Sequence, residues 1–388
     1  MKALKPLILL FFTLCTSAGF LFAQEGMVRV GLFNDNIVYS VVIRTGPLQH
    51  QMVADDSLQF FLSPNSLLYV TTIEDRILVR DKNKFLGVFN GVEFLSDAND
   101  SYIGIKPIAP VIELREYGGN IIVKSSHGAL SFINEISANQ YIAAVVRAEG
   151  GSEAHFEYYK TQSILCRTFL LANLDRHREE GFQVCDGTHC QVYHGRTNWS
   201  QHIYEVVLET AGLVVTDNRG NIISAAFHSN SGGETVNSEE IWVKREPYVV
   251  SKKDPWSLKG KHAFWQKEIT LDEWKDYLVM NGIWLNGISD NKLIFRQPYR
   301  RQFYNIGDQS LSLKQIRADF HLNSAFFDIY LQGDNLIFQG SGYGHGVGLS
   351  QEGAMVMARE GYWYPEIIKF YFPGVLISDL NEETIKLD

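Results

Sequence analysis

Residues 149–169 read EGGSEAHFEYYKTQSILCRTF: an acidic residue stands at the lip of a glycine pair, between two segments that each read as helix. Upstream, Ser137 and Gln140 have capping-box spacing, and residues 141–148 (YIAAVVRA) run without a breaker. That pattern predicts a short helix stopping at Gly150-Gly151. Downstream, Ser152 is placed to cap a second helix, in which Tyr158, Leu165, Phe169 and Ala172 follow one another at steps of seven, four and three. This spacing predicts one buried face, with the polar Gln162 on it.

Outward from this helical pair the pattern is β. From residue 28 to about 133, RVGLF, VYSVVIR, SLLYVTT, RILVRD, KFLGVF and NIIVKSS alternate or cluster β-branched and aromatic residues between Gly, Asn and Asp breaks. Beyond Gly195, IYEVVLET, LVVTD and NIISAAFH also read as strands. Residues 256–313 contain helix-like pieces such as LDEWKDYLV, and LSLKQIRADFHL and AFFDIYLQG follow. With no repeat, low-complexity tract or Pro/Gly/Ser-rich linker, the expectation is one compact α+β unit with an insertion. A strand-rich N-terminal region (residues 24–120) would precede a mixed α/β core (residues 121–377).

The totals narrow the function. At 388 residues, 45% of them hydrophobic and 20% charged, the chain can bury one large core or two ordinary ones. Lys2 and Lys5 precede an apolar run ending near Ala23, the pattern of a cleaved signal peptide over residues 1–23. Pro6, Thr13, Thr16 and Ser17 leave the run too short for a comfortable membrane anchor, and Cys15 follows Leu14 rather than a small residue, against a lipoprotein site. No later segment is long and apolar enough to span a bilayer. The expectation is an exported protein, periplasmic or in the cell envelope or outside it. Losing Lys2 and Lys5 takes the formal charge from −9 to −11. Such an acidic chain, without a basic block, is not a nucleic-acid binder. Outside the leader stand Cys166, Cys185 and Cys190. An odd number in an oxidising compartment leaves at least one unpaired, or some binding metal.

Several residues can carry chemistry. At a helix C-terminus the Glu149 carboxylate would sit among unpaired carbonyls, which hold its proton on and suit a general acid. The N-terminus of the following helix opposes this, and a plain surface Glu in a helix–helix turn is the alternative. Lys160 and Arg167, seven apart, share a helix face and can orient a hydroxyl or a carboxylate, unless Lys160 is only paired with Glu157. Gln162, a polar amide on an apolar face, needs a buried partner. His177, Cys185, His189 and Cys190 form the ligand set of a closed tetrahedral zinc site, and a Cys185–Cys190 disulfide is the rival. HSNSGGETVNSEEIW (residues 228–242) brings His228 and Ser231, and GSGYGHGVGLSQEGA (residues 340–354) brings His345 and Gln351 among six glycines. The glycines imply sharp turns and a close approach, without dinucleotide or P-loop spacing. There is no G-x-S-x-G elbow for a serine hydrolase.

These segments, in this order, resemble the stage II sporulation protein D family (SpoIID/LytB domain). Its acidic motif and the helix E-A-L-K-A-Q-A-x-x-A-R-T-Y are matched by Glu149 and by Glu157, Lys160, Gln162, Arg167, Thr168 and Phe169. Its Cys-Gln-x-Tyr-x-Gly piece is matched by Cys190, Gln191, Tyr193 and Gly195. Its His-Ser-x-Ser-Gly-Gly stretch and its closing signature are similar to the two glycine-rich segments, and LSLKQIRADFHLNSAFF fits through Arg317 and Ser324. The resemblance spans roughly residues 121–374. It implies a lytic transglycosylase acting on peptidoglycan glycan strands, especially strands stripped of stem peptides, with Glu149 as the catalytic acid. It also implies a structural zinc on Cys185, His189 and Cys190, with His177 as the fourth ligand. Relatives named amidase enhancers imply the alternative, a non-catalytic glycan binder that stimulates an N-acetylmuramoyl-L-alanine amidase. Gly150-Gly151 departs from the hydrophobic residue and Pro that many relatives carry after the acid.

Overall fold

The structure, a computed structural model, describes residues 26–96, 101–196, 200–242 and 244–380. The expected signal peptide lies outside these residues. Two compact units share the chain, where the sequence reads as one. The first takes in the described residues up to 149, then 170–213 and those from 378 on; the second takes in 150–169 and 214–377.

The first unit is built on two sheets, confirming the strand-rich start. One has seven strands in the order Val184–Cys185, Met27–Leu32, Ala129–Ser137, Asn120–Ser126, Gly91–Leu95, His50–Ala54, Leu58–Leu62. Only its outermost pair, Val184–Cys185 on Met27–Leu32, is parallel. The other has six strands, in the order Arg115–Tyr117, Ile103–Ala109, Ser40–Thr45, Leu67–Ile73, Arg76–Asp81, Phe85–Phe89. Alternation in the sequence becomes alternation in space: Val41, Ile43, Val70 and Val79 are fully buried, each side chain contributing about 1.5–3 kcal/mol of apolar transfer. The sheets meet through Phe60 and Phe89, edge to face at 5.9 Å, and through the Thr72–Ser125 hydroxyl pair at 2.6 Å.

Ser137 caps the helix as the sequence predicts, its Oγ accepting the N–H of Gln140 at 3.3 Å, but the reciprocal half of the capping box does not form: Gln140 Oε1 accepts from Ser137 Oγ at 3.2 Å instead of from the Ser137 N–H. This cap opens helix α1, Ala138–Gly150. Helix α2 spans Phe156–Ala172. Ser152 does not cap it; the nearer His155 does, its Nδ1 accepting the Glu157 N–H at 3.3 Å. Nor is α2 one-faced. Residues 157–168 are buried except Lys160, whereas Phe169 is half-buried and Ala172 exposed. Its hydroxyls make this burial tolerable by bonding back one turn, Thr161 to Glu157 O, Ser163 to Tyr159 O and Thr168 to Ile164 O.

The segment IYEVVLET is corrected from strand to helix, within Gln201–Glu209. Its β-branched residues suggested a strand, but Ile203, Val206 and Val207 recur at helical spacing and are the ones buried. LVVT is a strand, Leu213–Thr216, whereas NIISAAFH contributes only Phe227–His228. In the second unit, LDEWKDYLV lies in the helix Leu271–Met280, capped by Thr270 Oγ1 on the Glu273 N–H. Trp274, fully buried, is the hub there, its ring 5.4–5.7 Å from those of Tyr304, Phe320 and Phe338. Behind it lies a three-stranded sheet in the order Phe264–Thr270, Asn335–Ser341, Phe327–Gln332. Among the described residues no helix is long and apolar enough to cross a membrane.

Candidate functional site

Glu149 stands at the last turn of α1, half-buried, with Oε1 accepting the Val192 N–H at 3.1 Å. The glycines after it are physically required. Gly151 has φ +72°, and a Cβ on Gly150 would lie 2.7 Å from the Tyr158 ring. Tyr159 then clamps the turn, donating to Gly151 O at 3.1 Å and accepting from Ala154 N at 3.0 Å.

Val192 belongs to the loop that carries the Cys/His set. His177, Cys185, His189 and Cys190 present ligand atoms all within 4.8 Å of one another. Cys190 Sγ lies 3.4 Å from His177 Nε2 and 3.9 Å from His189 Nδ1, and Cys185 Sγ lies 3.8 Å from His189 Nδ1. Tetrahedral zinc bonded to two sulfurs and two nitrogens needs ligand separations of about 3.4–3.8 Å, so this donor set fits. Glu180 Oε1 binds His177 Nδ1 at 2.5 Å, leaving Nε2 to face the cluster, which is the outer carboxylate expected behind a ligating imidazole. Both thiols are free. A hydrogen bond from Cys185 holds the Cys190 thiol down to about 6, and the same contact pushes Cys185 up.

The loop is anchored by groups that the sequence reading missed. Buried Asp186 accepts from the N–H groups of Phe33 (2.8 Å) and Asn34 (3.2 Å) and from Arg115 Nη1 (2.9 Å). Tyr193 donates to Asn134 Oδ1 at 2.6 Å, and the Asn134 amide donates to Gly118 O and Asn120 O. Asn134 was visible as the one polar side chain at a core position of ALSFINEIS; nothing distinguished Asp186. Gly195, at φ +68°, would bring a Cβ within 2.3 Å of Glu116 O. We expect Gly195→Ala to destabilise the fold by more than about 2 kcal/mol, from left-handed strain and this clash together, read as a lower denaturant midpoint.

In the second unit the two glycine-rich segments interlock. Asn230 and Tyr343 exchange backbone hydrogen bonds at 2.9 and 2.8 Å, and Val236 N donates to Gly346 O at 2.8 Å. A Cβ on Gly232 would meet the Ser341 carbonyl carbon at 2.5 Å, and one on Gly342 would meet Asn230 O at 2.5 Å. The close approach that the glycines imply is therefore made by each segment to the other. It sets the His228 and His345 rings 5.4 Å apart. His228 Nδ1 bonds Val347 O at 3.0 Å, while its Nε2 is buried without a partner among the described residues. His345 Nδ1 accepts the Val347 N–H at 3.0 Å. Ser231 is instead consumed internally, its hydroxyl on Asp254 Oδ2 at 2.7 Å and Ser257 Oγ at 2.8 Å. Gln351, buried, opens the helix Gln351–Arg359, which Ser350 caps. Arg300, unremarkable in the sequence, donates to Ser231 O at 2.6 Å and Glu234 O at 2.9 Å beside this cluster.

Burial, then His345 and Arg300, depress His228 well below the usual imidazole range; burial, then Arg317, depresses His345 to about 4. Both rings are neutral in the folded unit, while an unfolded chain takes up these protons near about 6.5. Stability should therefore be undiminished above about pH 6.5 and drain away as pH falls from there through about 4. Thermal melts at about pH 7 and about pH 5 should show the drop, and His345→Gln should shrink it.

Of the α2 candidates, Lys160 pairs with Glu157 at 3.6 Å and lies over the Phe156 ring, the plainer of its two readings. Gln162 is fully buried; Nε2 reaches Cys166 Sγ at 3.6 Å and Oε1 has no partner among the described residues. Arg167 is buried, its guanidinium lowered to about 10 by desolvation.

Comparison with known proteins bears on these motifs. Residues 126–216 match the SpoIID family, described as "Stage II sporulation protein". The chain is 31% identical over 266 residues to stage II sporulation protein D of Bacillus subtilis (strain 168), covering 64% of this chain and 76% of that protein. It is 24% identical over 369 residues to an uncharacterized protein of Brachyspira hyodysenteriae, covering 93% of this chain and 95% of that one. It is also 26% identical over 290 residues to the amidase enhancer of Bacillus subtilis, covering 61% of this chain and 40% of the enhancer. The chain belongs to the stage II sporulation protein D family.

Proposed function

We propose that this protein cleaves peptidoglycan glycan strands without water, as a lytic transglycosylase with Glu149 as general acid and base. The observation that carries the reading is the hold on Glu149: a half-buried carboxylate at a helix end, oriented by the Val192 N–H of the Cys-Gln-x-Tyr loop. A carboxylic acid there donates its proton to the glycosidic oxygen as the bond to the anomeric carbon breaks. The resulting carboxylate takes the proton of the muramic acid's own primary hydroxyl, whose oxygen closes an anhydro ring on that carbon. No water is activated, so the paired carboxylates of ordinary glycosidases are not required.

His228 is assigned to the substrate side of this cluster, with His345 beside it. Gln162, Arg167, Lys160 and Gln351 remain assigned to binding. Ser231 fits support of the glycine turn better than contact with sugar. His177, Cys185, His189 and Cys190 are proposed to hold a structural zinc, which supplies rigidity and, with four protein ligands, offers no position to substrate. Residues 1–23 are proposed to direct export to the periplasm, envelope or exterior, where the strands lie.

A second reading has a specific basis in the relative named amidase enhancer: the protein would bind glycan and stimulate a cell-wall amidase. Denuded strands separate the two. Release of peptide-free fragments ending in anhydro-muramic acid by the purified protein supports cleavage; binding without release supports the enhancer.

A further inference from the structure

We propose that the insertion carries a second glycan-binding platform, formed by Gln266, Gln339 and Asp328 with Phe264 at its edge, which takes neutral N-acetylhexosamine units. The proposal rests on the glycan reading above only for its natural ligand. Antiparallel register sets Gln266 opposite Gln339, and Gln339 opposite Asp328, so one row of polar groups crosses the three-stranded sheet. This row lines a hollow of about 570 Å³, within the range of small-molecule sites.

Gln266 and Gln339 are exposed and their side-chain amides make no hydrogen bond to the described residues, so each presents an acceptor and two donors. Asp328 is held in place, its Oδ1 accepting from Gln297 N at 2.7 Å and its Oδ2 from Tyr330 OH at 3.1 Å and Arg296 Nη1 at 3.4 Å. A carboxylate has about four acceptor sites, so capacity remains for a hydroxyl. Phe264 is 66% exposed at the rim, whereas Phe295, Phe320, Phe327 and Phe338 fill the core of the unit. Beside the polar row the backbone of Gly340 forms the floor, because the Trp265 indole turns to the opposite face, over Gly340 where a Cβ would come within 2.0 Å, with Nε1 donating to Ser324 Oγ at 3.1 Å.

Free amides and a carboxylate beside aromatic rings suit a molecule with a hydrogen-bonding rim and apolar ring faces, which is a sugar. An anion is disfavoured. The nearby guanidinium, Arg296, is committed to Asp328 and to the Tyr330 ring at 3.5 Å, and no lysine lines the hollow. The platform therefore suits N-acetylglucosamine better than a muramic acid carboxylate.

The test titrates the full chain carrying Glu149→Gln, so that nothing is cleaved, with chitotetraose, following the backbone N–H resonance of Gly340 in the floor of the hollow. We expect a saturable shift, weakened about tenfold in Gln266→Ala/Gln339→Ala through the lost hydrogen bonds. Phe264→Ala should weaken it as well, and all three side chains are exposed enough for the fold to survive. A Gly340 signal that ignores chitotetraose, or moves equally in the double variant, overturns the platform, as does a shift produced by an acidic peptide instead. Because the readout needs no catalysis, a chain inactive on denuded strands would leave this proposal standing, and a silent Gly340 would leave Glu149 standing.

Discussion

Glu149→Gln is expected to lower the release of fragments ending in anhydro-muramic acid from denuded glycan strands by roughly 10²–10⁴-fold, the usual contribution of a positioned general acid. The amide keeps the volume of the side chain and an oxygen that can still accept the Val192 N–H, so folding should be undisturbed. It cannot donate a proton and then reclaim one. Strand binding by the variant should match the parent, placing the whole loss in turnover. Equal rates for the two proteins would remove Glu149 from the chemistry, whatever the loop around it does.

The second large effect concerns the Cys/His cluster. Native mass spectrometry should find one zinc per chain, removed by a strong chelator and absent from Cys190→Ser. Loss of a structural metal from a closed site costs several kcal/mol, enough to lower the melting temperature by about 10 °C. The loss should also reach Glu149: the Val192 amide that orients it lies two residues from Cys190. Anhydro product should therefore fall on chelation although zinc meets no substrate. A protein two hydrogens light, carrying a Cys185–Cys190 disulfide and no zinc, would end this assignment.

What the sequence disclosed, and what it hid, follows from the range of the interactions. The Ser137 cap, the stop at Gly150-Gly151 and the helix around Trp274 are decided within a few residues, and all were legible. The strands before residue 126 were legible because their faces alternate. The run IYEVVLET was not, since β-branched composition and helical spacing disagree there and tertiary burial of Ile203, Val206 and Val207 decides for helix. At the site, His177, Cys185, His189 and Cys190 announce themselves by residue type and do come together. Asp186, Glu180 and Arg300 hold the site through partners that composition cannot reveal. Ser231 illustrates the converse: its motif marks it, yet its hydroxyl faces Asp254 and Ser257.

The crossing of Gly232 with Gly342 limits how this architecture can change. Two stretches more than a hundred positions apart lie main chain against main chain, each shaped to the other's missing side chain. Neither can be lengthened, grafted or exchanged with a cousin's version unless its counterpart travels with it. Recombination would have to inherit them as a single heritable block, despite the whole insertion lying between.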